Sequence, residues 1–124
     1  MKRILIVDDE PYVLSGIKRQ VRKMRNEWHV TFATNALQAL DFLAIKPVDV
    51  VVTDIRMPGM NGVELILKIH ESYPNTLPIV LSGQCSTSDA VSLKKAGIHF
   101  ISKPCEPETL YLYIERALNT SSQT

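Results

Sequence analysis

Two short runs limit the fold more than anything else in the chain. RILIV at 3–7 and the β-branched VDVVVT at 48–53 stay apolar on nearly every successive residue. A strand with one wet face alternates polar and apolar side chains, whereas a strand covered on both faces does not. The runs therefore require a sheet with layers on both sides. Segments of helical period lie between them. Pro11, after Asp9 and Glu10, suits the first position of a helix in which Leu14, Ile17, Val21 and Met24 recur on one face. Strand character returns at 28–33, and Asn35 can cap a helix whose Ala36, Leu40 and Leu43 share a side. A helix from Asn61 or Gly62 carries Val63, Ile66 and Ile69 or His70 and ends before Pro74. Beyond it, 78–81 reads as strand, 86–96 as helix stopped by Gly97, 98–102 as strand, and 107–118 as a helix with Leu110, Ile114 and Leu118 inward. Residues 119–124 are rich in Ser and Thr and read as a frayed tail. Five strand-helix alternations of this kind describe an α/β fold with a parallel sheet wound on both faces.

A length of 124 residues suits one domain, and 45% apolar with 22% charged residues is a globular composition. No apolar run approaches the roughly 20 residues of a spanning helix. The opening MKRILIVDDE has the superficial look of a signal peptide, but Asp8 and Asp9 interrupt it and no small-residue cleavage site follows. The expectation is a cytoplasmic chain with no membrane partner. A formal net charge of +1 gives no case for direct nucleic-acid binding. Lys18, Arg19, Arg22, Lys23 and Arg25 cluster at helical spacing and read as a solvated face. Cys85 and Cys105 make neither a disulfide scaffold nor a zinc site and read as two reduced thiols. Their places after the fourth and fifth strands leave a redox-sensitive pair as the alternative.

In a parallel α/β sheet the functional crevice lies beyond the carboxyl ends of the strands. Asp8 and Asp9 follow the first strand, Asp54 the third, Ser82 the fourth and Lys103 the fifth. Each alone has an ordinary explanation as a cap, a turn residue or a surface charge. Together they put three carboxylates, a hydroxyl and an ammonium on one rim. Anions held that close repel unless cations join them. Lys103 supplies one charge, and a hard divalent ion with oxygen ligands supplies the rest, for which Mg²⁺ is suited.

VDDEP, VVTDIRMPGMNG, LSG and FISKP, in this order and spacing, closely resemble the response-regulator receiver domain. The resemblance covers nearly the whole chain, with 1–118 as the receiver and 119–124 as a C-terminal tail or the start of a linker. It implies a flavodoxin-like (βα)5 fold with strand order 2-1-3-4-5. It implies that Asp54 accepts a phosphoryl group from a sensor histidine kinase, a phosphotransfer protein or a small acyl phosphate. Asp9, Asp54 and the backbone carbonyl of Arg56 would hold Mg²⁺, with Asp8 acting mainly through water. Lys103 would pair with the carboxylate and then with the phosphoryl oxygens. Ser82 would donate a hydrogen bond to the phosphoryl group, Phe100 would turn inward as Ser82 moves, and Pro104 resembles a cis-proline that aims Lys103. Arg56 and Gln84 are less typical of the family, and at these positions residues influence how water reaches the phosphoryl group.

A receiver passes on a conformational change, and the resemblance places its exit on the surface of helix 86–96, strand 98–102 and helix 107–118. Lys94, Lys95, Tyr111 and Tyr113 are contact candidates there. The partners implied are an output domain in cis or a separate protein, and a homodimer. MRNEWHVTFAT, LSGQCS and SKPCEPETL also resemble, more weakly, receivers joined to HDOD and HD-GYP output domains, so the chain reads as the N-terminal piece of a longer regulator. Other classes fit less well. A haloacid-dehalogenase-type phosphatase needs D-x-D after its first strand, and an FMN carrier needs a hydroxyl- and Gly-rich phosphate loop where this chain has Asp-Asp-Glu. A receiver that signals without phosphorylation remains the alternative within the family.

Overall fold

The computed structural model describes residues 2–8, 16, 19, 28–55, 62–82, 87–102 and 107–122. Its strands are β1 (Lys2–Val7), β2 (Trp28–Ala33), β3 (Val50–Asp54), β4 (Leu77–Ser82) and β5 (His99–Ser102). Its helices are α1 (Ala36–Ile45), α2 (Gly62–Ser72), α3 (Thr87–Lys95) and α4 (Pro107–Ser122). All strand pairs are parallel, in the order β2-β1-β3-β4-β5. The expected doubly wound sheet is thus the one observed. Of the helix expected from Pro11, only Gly16 and Arg19 are described, and both are helical.

Successive strand side chains separate onto two faces, as a period of two requires. Leu5, Val7, Val51 and Val80 pack with Ala36, Ala39 and Leu43 of α1, Val63, Leu65, Ile66 and Ile69 of α2, and Leu93 of α3. Ile4, Ile6, Val50, Val52, Ile79, Leu81 and Ile101 point the other way, onto Leu110, Ile114 and Leu118 of α4. Burial on both faces is why β1 and β3 tolerate no polar alternation. Pro78 fits because pairing with β5 begins only at Ile79, so at Pro78 the strand has a ladder neighbour on one side alone.

Asn35 caps α1 as expected, its Oδ1 accepting from Gln38 N at 2.8 Å, while Gln38 Oε1 accepts from Thr34 N at 2.8 Å. Several boundaries differ from the sequence reading, most of them by one residue. The central strand starts at Val50 and runs to Asp54. Asp49 is instead used as a clamp: its carboxylate accepts from Arg3 N at 2.8 Å, and its carbonyl accepts from Leu77 N at 2.9 Å. α4 continues to Ser122, where a frayed tail was expected. Asn, Thr and Ser are mediocre helix formers, but each costs only some tenths of a kcal/mol, and 119–122 contains no Pro or Gly to stop the helix.

Candidate functional site

β1 and β3 are neighbours, and Val7 faces Thr53 across them. The next residue on each strand is an aspartate, so Asp8 and Asp54 stand side by side at the carboxyl edge, in phase. Parallel strands lie about 4.8 Å apart. Asp8 N donates to Ala33 O at 3.0 Å, which extends the β1–β2 ladder by one residue and fixes Asp8 in place. Both side chains are buried, Asp8 at 1% exposure and Asp54 at 5%. Each takes part in a polar or electrostatic interaction, and no buried side-chain oxygen or nitrogen among the described residues lacks a hydrogen-bond partner.

The rim continues along the sheet. Asp54 faces Leu81, so Ser82 is one residue farther out on β4, and Ser82 faces Ser102, the last residue of β5. The topology therefore brings Asp8, Asp54 and the Ser82 backbone to one edge, as expected from strand ends. Asp9, Arg56, Gln84, Lys103, Pro104, Cys85 and Cys105 lie outside the described residues.

Two further residues hold Asp54 in position. Thr53 is buried, and its Oγ1 donates to Asp54 O at 3.1 Å. Gly62, which the sequence marked only as a helix start, closes the loop after β3: its N–H donates to Ile55 O at 2.8 Å. A Cβ on Gly62 would run into the carbonyl of Asp54 and the Cα of Ile55. The signal in the sequence was the second glycine of MPGMNG, whose purpose becomes clear only when α2 is seen to begin against the strand it follows.

Phe100 is 40% exposed on β5, opposite Val80, and so is not an ordinary core phenylalanine. Val91 of α3 and Leu112 and Tyr113 of α4 are also exposed, and so are Lys94 and Lys95. Tyr111 differs from its neighbour Tyr113. Its ring stacks on Trp28 at a centroid distance of 4.6 Å with 25° between planes, tying α4 to the edge strand β2. Burial, then the Glu115 charge and a hydrogen bond donated to Glu115, raise its hydroxyl pKa above the ordinary 10.0.

The deciding comparison is a match to the response regulator receiver domain model over residues 4–115. The chain belongs to this family. Receiver domains are the signalling domains of two-component systems rather than enzymes in the usual sense; they interact with histidine kinases and output domains and generally bind Mg²⁺ at the phosphorylation site. The chain is 32% identical over 117 residues to the hydrogenase transcriptional regulatory protein HoxA of Cupriavidus necator, covering 93% of this chain and 24% of that protein. This receiver thus spans about a quarter of that relative's length. A CheY-like receiver from Methanospirillum hungatei superposes with a TM-score of 0.91 at 30% identity, covering 99% of this chain and 98% of the other. The signal receiver domain of an HD domain-containing protein from Pseudomonas fluorescens gives 0.86 at 30% identity, with the same coverages. No helix among the described residues is long and apolar enough to cross a membrane.

Proposed function

We propose that this receiver is gated by phosphorylation of Asp54, and that the gate controls an output domain or partner through the α3-β5-α4 face. The observation that carries the reading is the pair of buried carboxylates, Asp8 and Asp54, at adjacent strand ends of the central sheet. Two buried anions at that spacing repel and are desolvated, which makes them costly as packing and suitable as hard ligands. Asp8 and Asp54 are hard oxygen donors of the kind Mg²⁺ prefers; Asp9, Asp54 and the carbonyl of Arg56 would hold the ion, and Asp8 would act mainly through water. When bound, the ion would supply positive charge to the transferring phosphoryl oxygens.

An oxygen of Asp54 attacks the phosphorus of a phosphohistidine on the partner kinase or phosphotransfer protein. The new P–O bond forms as the P–N bond breaks, its electron pair staying on the imidazole nitrogen. Lys103 neutralises the phosphoryl oxygens and Ser82 donates to one of them. Movement of Ser82 toward the phosphoryl group vacates space beside β5, into which Phe100 turns; Pro104 aims Lys103. Phe100 is 40% exposed, which leaves the ring an inward position to turn to. The similarity to a receiver of an HD domain-containing protein supports an HD-type output domain.

Intact mass after incubation with acetyl phosphate tests the reading, with and without Mg²⁺, in the wild type and Asp54→Ala. One added phosphoryl group that needs both Mg²⁺ and Asp54 is expected. Folded protein that gains none from acetyl phosphate or from a phosphorylated kinase would instead favour a receiver that signals without phosphate.

A further inference from the structure

At the opposite end of the sheet from Asp54, a cleft of about 260 Å³ opens between the edge strand and α1. Its floor is apolar, with Leu5, Phe42 and Val48, and Arg3, His29 and Lys46 also line it. Arg3 and His29 are register partners on β1 and β2, as are Leu5 and Thr31, so the first pair stands directly outward of the second on one face. Lys46 arrives from the C-cap of α1. Among the described residues, none of the Arg3, His29 and Lys46 side chains makes an ion pair or hydrogen bond. The neighbouring carboxylate, Asp49, accepts from the backbone N–H of Arg3 at 2.8 Å and, among the described residues, makes no ion pair with the Arg3 or Lys46 side chain.

We infer that this cleft binds a small amphipathic organic anion, its carboxylate or phosphate head held by Arg3 and Lys46 and its aromatic or branched body on Leu5, Phe42 and Val48. Solvated surface cations usually spread apart over polar ground. Here they converge over an apolar floor, which is the composition of a ligand site: a mostly hydrophobic lining with a few convergent polar groups. The guanidinium of Arg3 presents a planar donor fork that matches either head group, and Lys46 adds a point charge. His29 and the Thr31 hydroxyl supply further donors at the rim. From Arg3 to Asp8 the strand rises roughly 16 Å, at about 3.3 Å per residue, so a ligand here leaves the phosphorylation rim free. The cleft is a second input, separate from Asp54.

Amide chemical shifts of the full chain, titrated without divalent metal, test the inference with four probes. These are phenylacetate, phenyl phosphate, the neutral benzyl alcohol and inorganic phosphate. Saturable shifts at Arg3, His29, Thr31 and Lys46 with either aromatic anion are expected, and the tighter of the two names the head group. Arg3→Met with Lys46→Met should weaken that probe about tenfold or more while leaving the remaining amides dispersed. Equal response to benzyl alcohol would overturn the anion requirement, and equal response to inorganic phosphate would overturn the apolar floor. Absence of saturable shifts at these four residues in the wild type would overturn the site itself, whatever the fate of the double variant.

Discussion

Among the described residues, Gly62 and Gly97 are needed for different reasons, and substitution separates them. Gly62 has no room for a side chain, because a Cβ would meet the backbone of Asp54 and Ile55. Gly62→Ala must therefore push β3 or α2 aside, with an expected loss of about 1–3 kcal/mol. Since the displaced atoms belong to the residue proposed to accept the phosphoryl group, slower Asp54 phosphorylation should accompany the lower urea midpoint. Gly97 has open space around it but sits at φ 72°, the left-handed region. Gly97→Ala should cost about 1 kcal/mol through backbone strain alone and leave phosphorylation untouched. Equal phosphorylation rates in both variants, measured by intact mass over time, would show that Gly62 does not position Asp54.

α1 shows how much of an element a local signal can specify. Its start was readable because Asn35 is a capping residue, and its Oδ1 accepts from Gln38 N at 2.8 Å; the bond from Thr34 N to Gln38 Oε1, also 2.8 Å, was not read from the sequence. Asn35→Ala should lower stability by about 1 kcal/mol in urea denaturation; an unchanged midpoint would mean that packing of Ala36, Ala39 and Leu43 alone sets the helix. α4 was also readable in its inward stripe of Leu110, Ile114 and Leu118. Its aromatic contact was not, because Trp28 and Tyr111 are 83 residues apart in number and belong to no shared period. The same holds for Asp49, whose VDVVVT context reads as strand although its carboxylate serves the amide of Arg3. Contacts between distant segments leave no periodic trace in a single sequence. The Tyr111 site has a pH signature. Burial and Glu115 raise its folded-state pKa, so the unfolded chain releases the proton first as pH rises. The associated stability is fully present below the unfolded value near 10.0 and is lost as pH climbs through the folded value above it. Between about pH 9 and pH 11 the wild type should therefore lose more stability than Tyr111→Phe, which keeps the ring and removes the proton. Parallel urea curves for the two proteins across that range would remove Tyr111 from the account.

Across the whole molecule, the strand ends were legible because a parallel sheet carries the last residue of every strand to one edge. Asp8, Asp54 and the end of β4 meet there for that reason alone, while how a change at the rim reaches the outer surface depends on β5. Ser82 and Ser102 are register partners, and Phe100 stands two residues before Ser102, opposite Val80 of the strand that ends in Ser82. A shift at the end of β4 is therefore felt by β5 through two ladder positions, and Phe100, 40% exposed, is a side chain with somewhere to go. The chain has three phenylalanines, and Phe32 and Phe42 are already half-buried. Fluorinated phenylalanine incorporated throughout should give three resonances, of which Phe100 is the most sensitive to a soluble paramagnetic agent. With acetyl phosphate and Mg²⁺ that sensitivity should fall in the wild type, and it should stay unchanged in Asp54→Ala and for the other two rings in either protein. A sample shown by mass to be phosphorylated, yet with Phe100 as accessible as before, would uncouple the ring from Asp54. The exposed Val91, Leu112 and Tyr113 would then have to be switched by movement of α3 or α4 as whole elements.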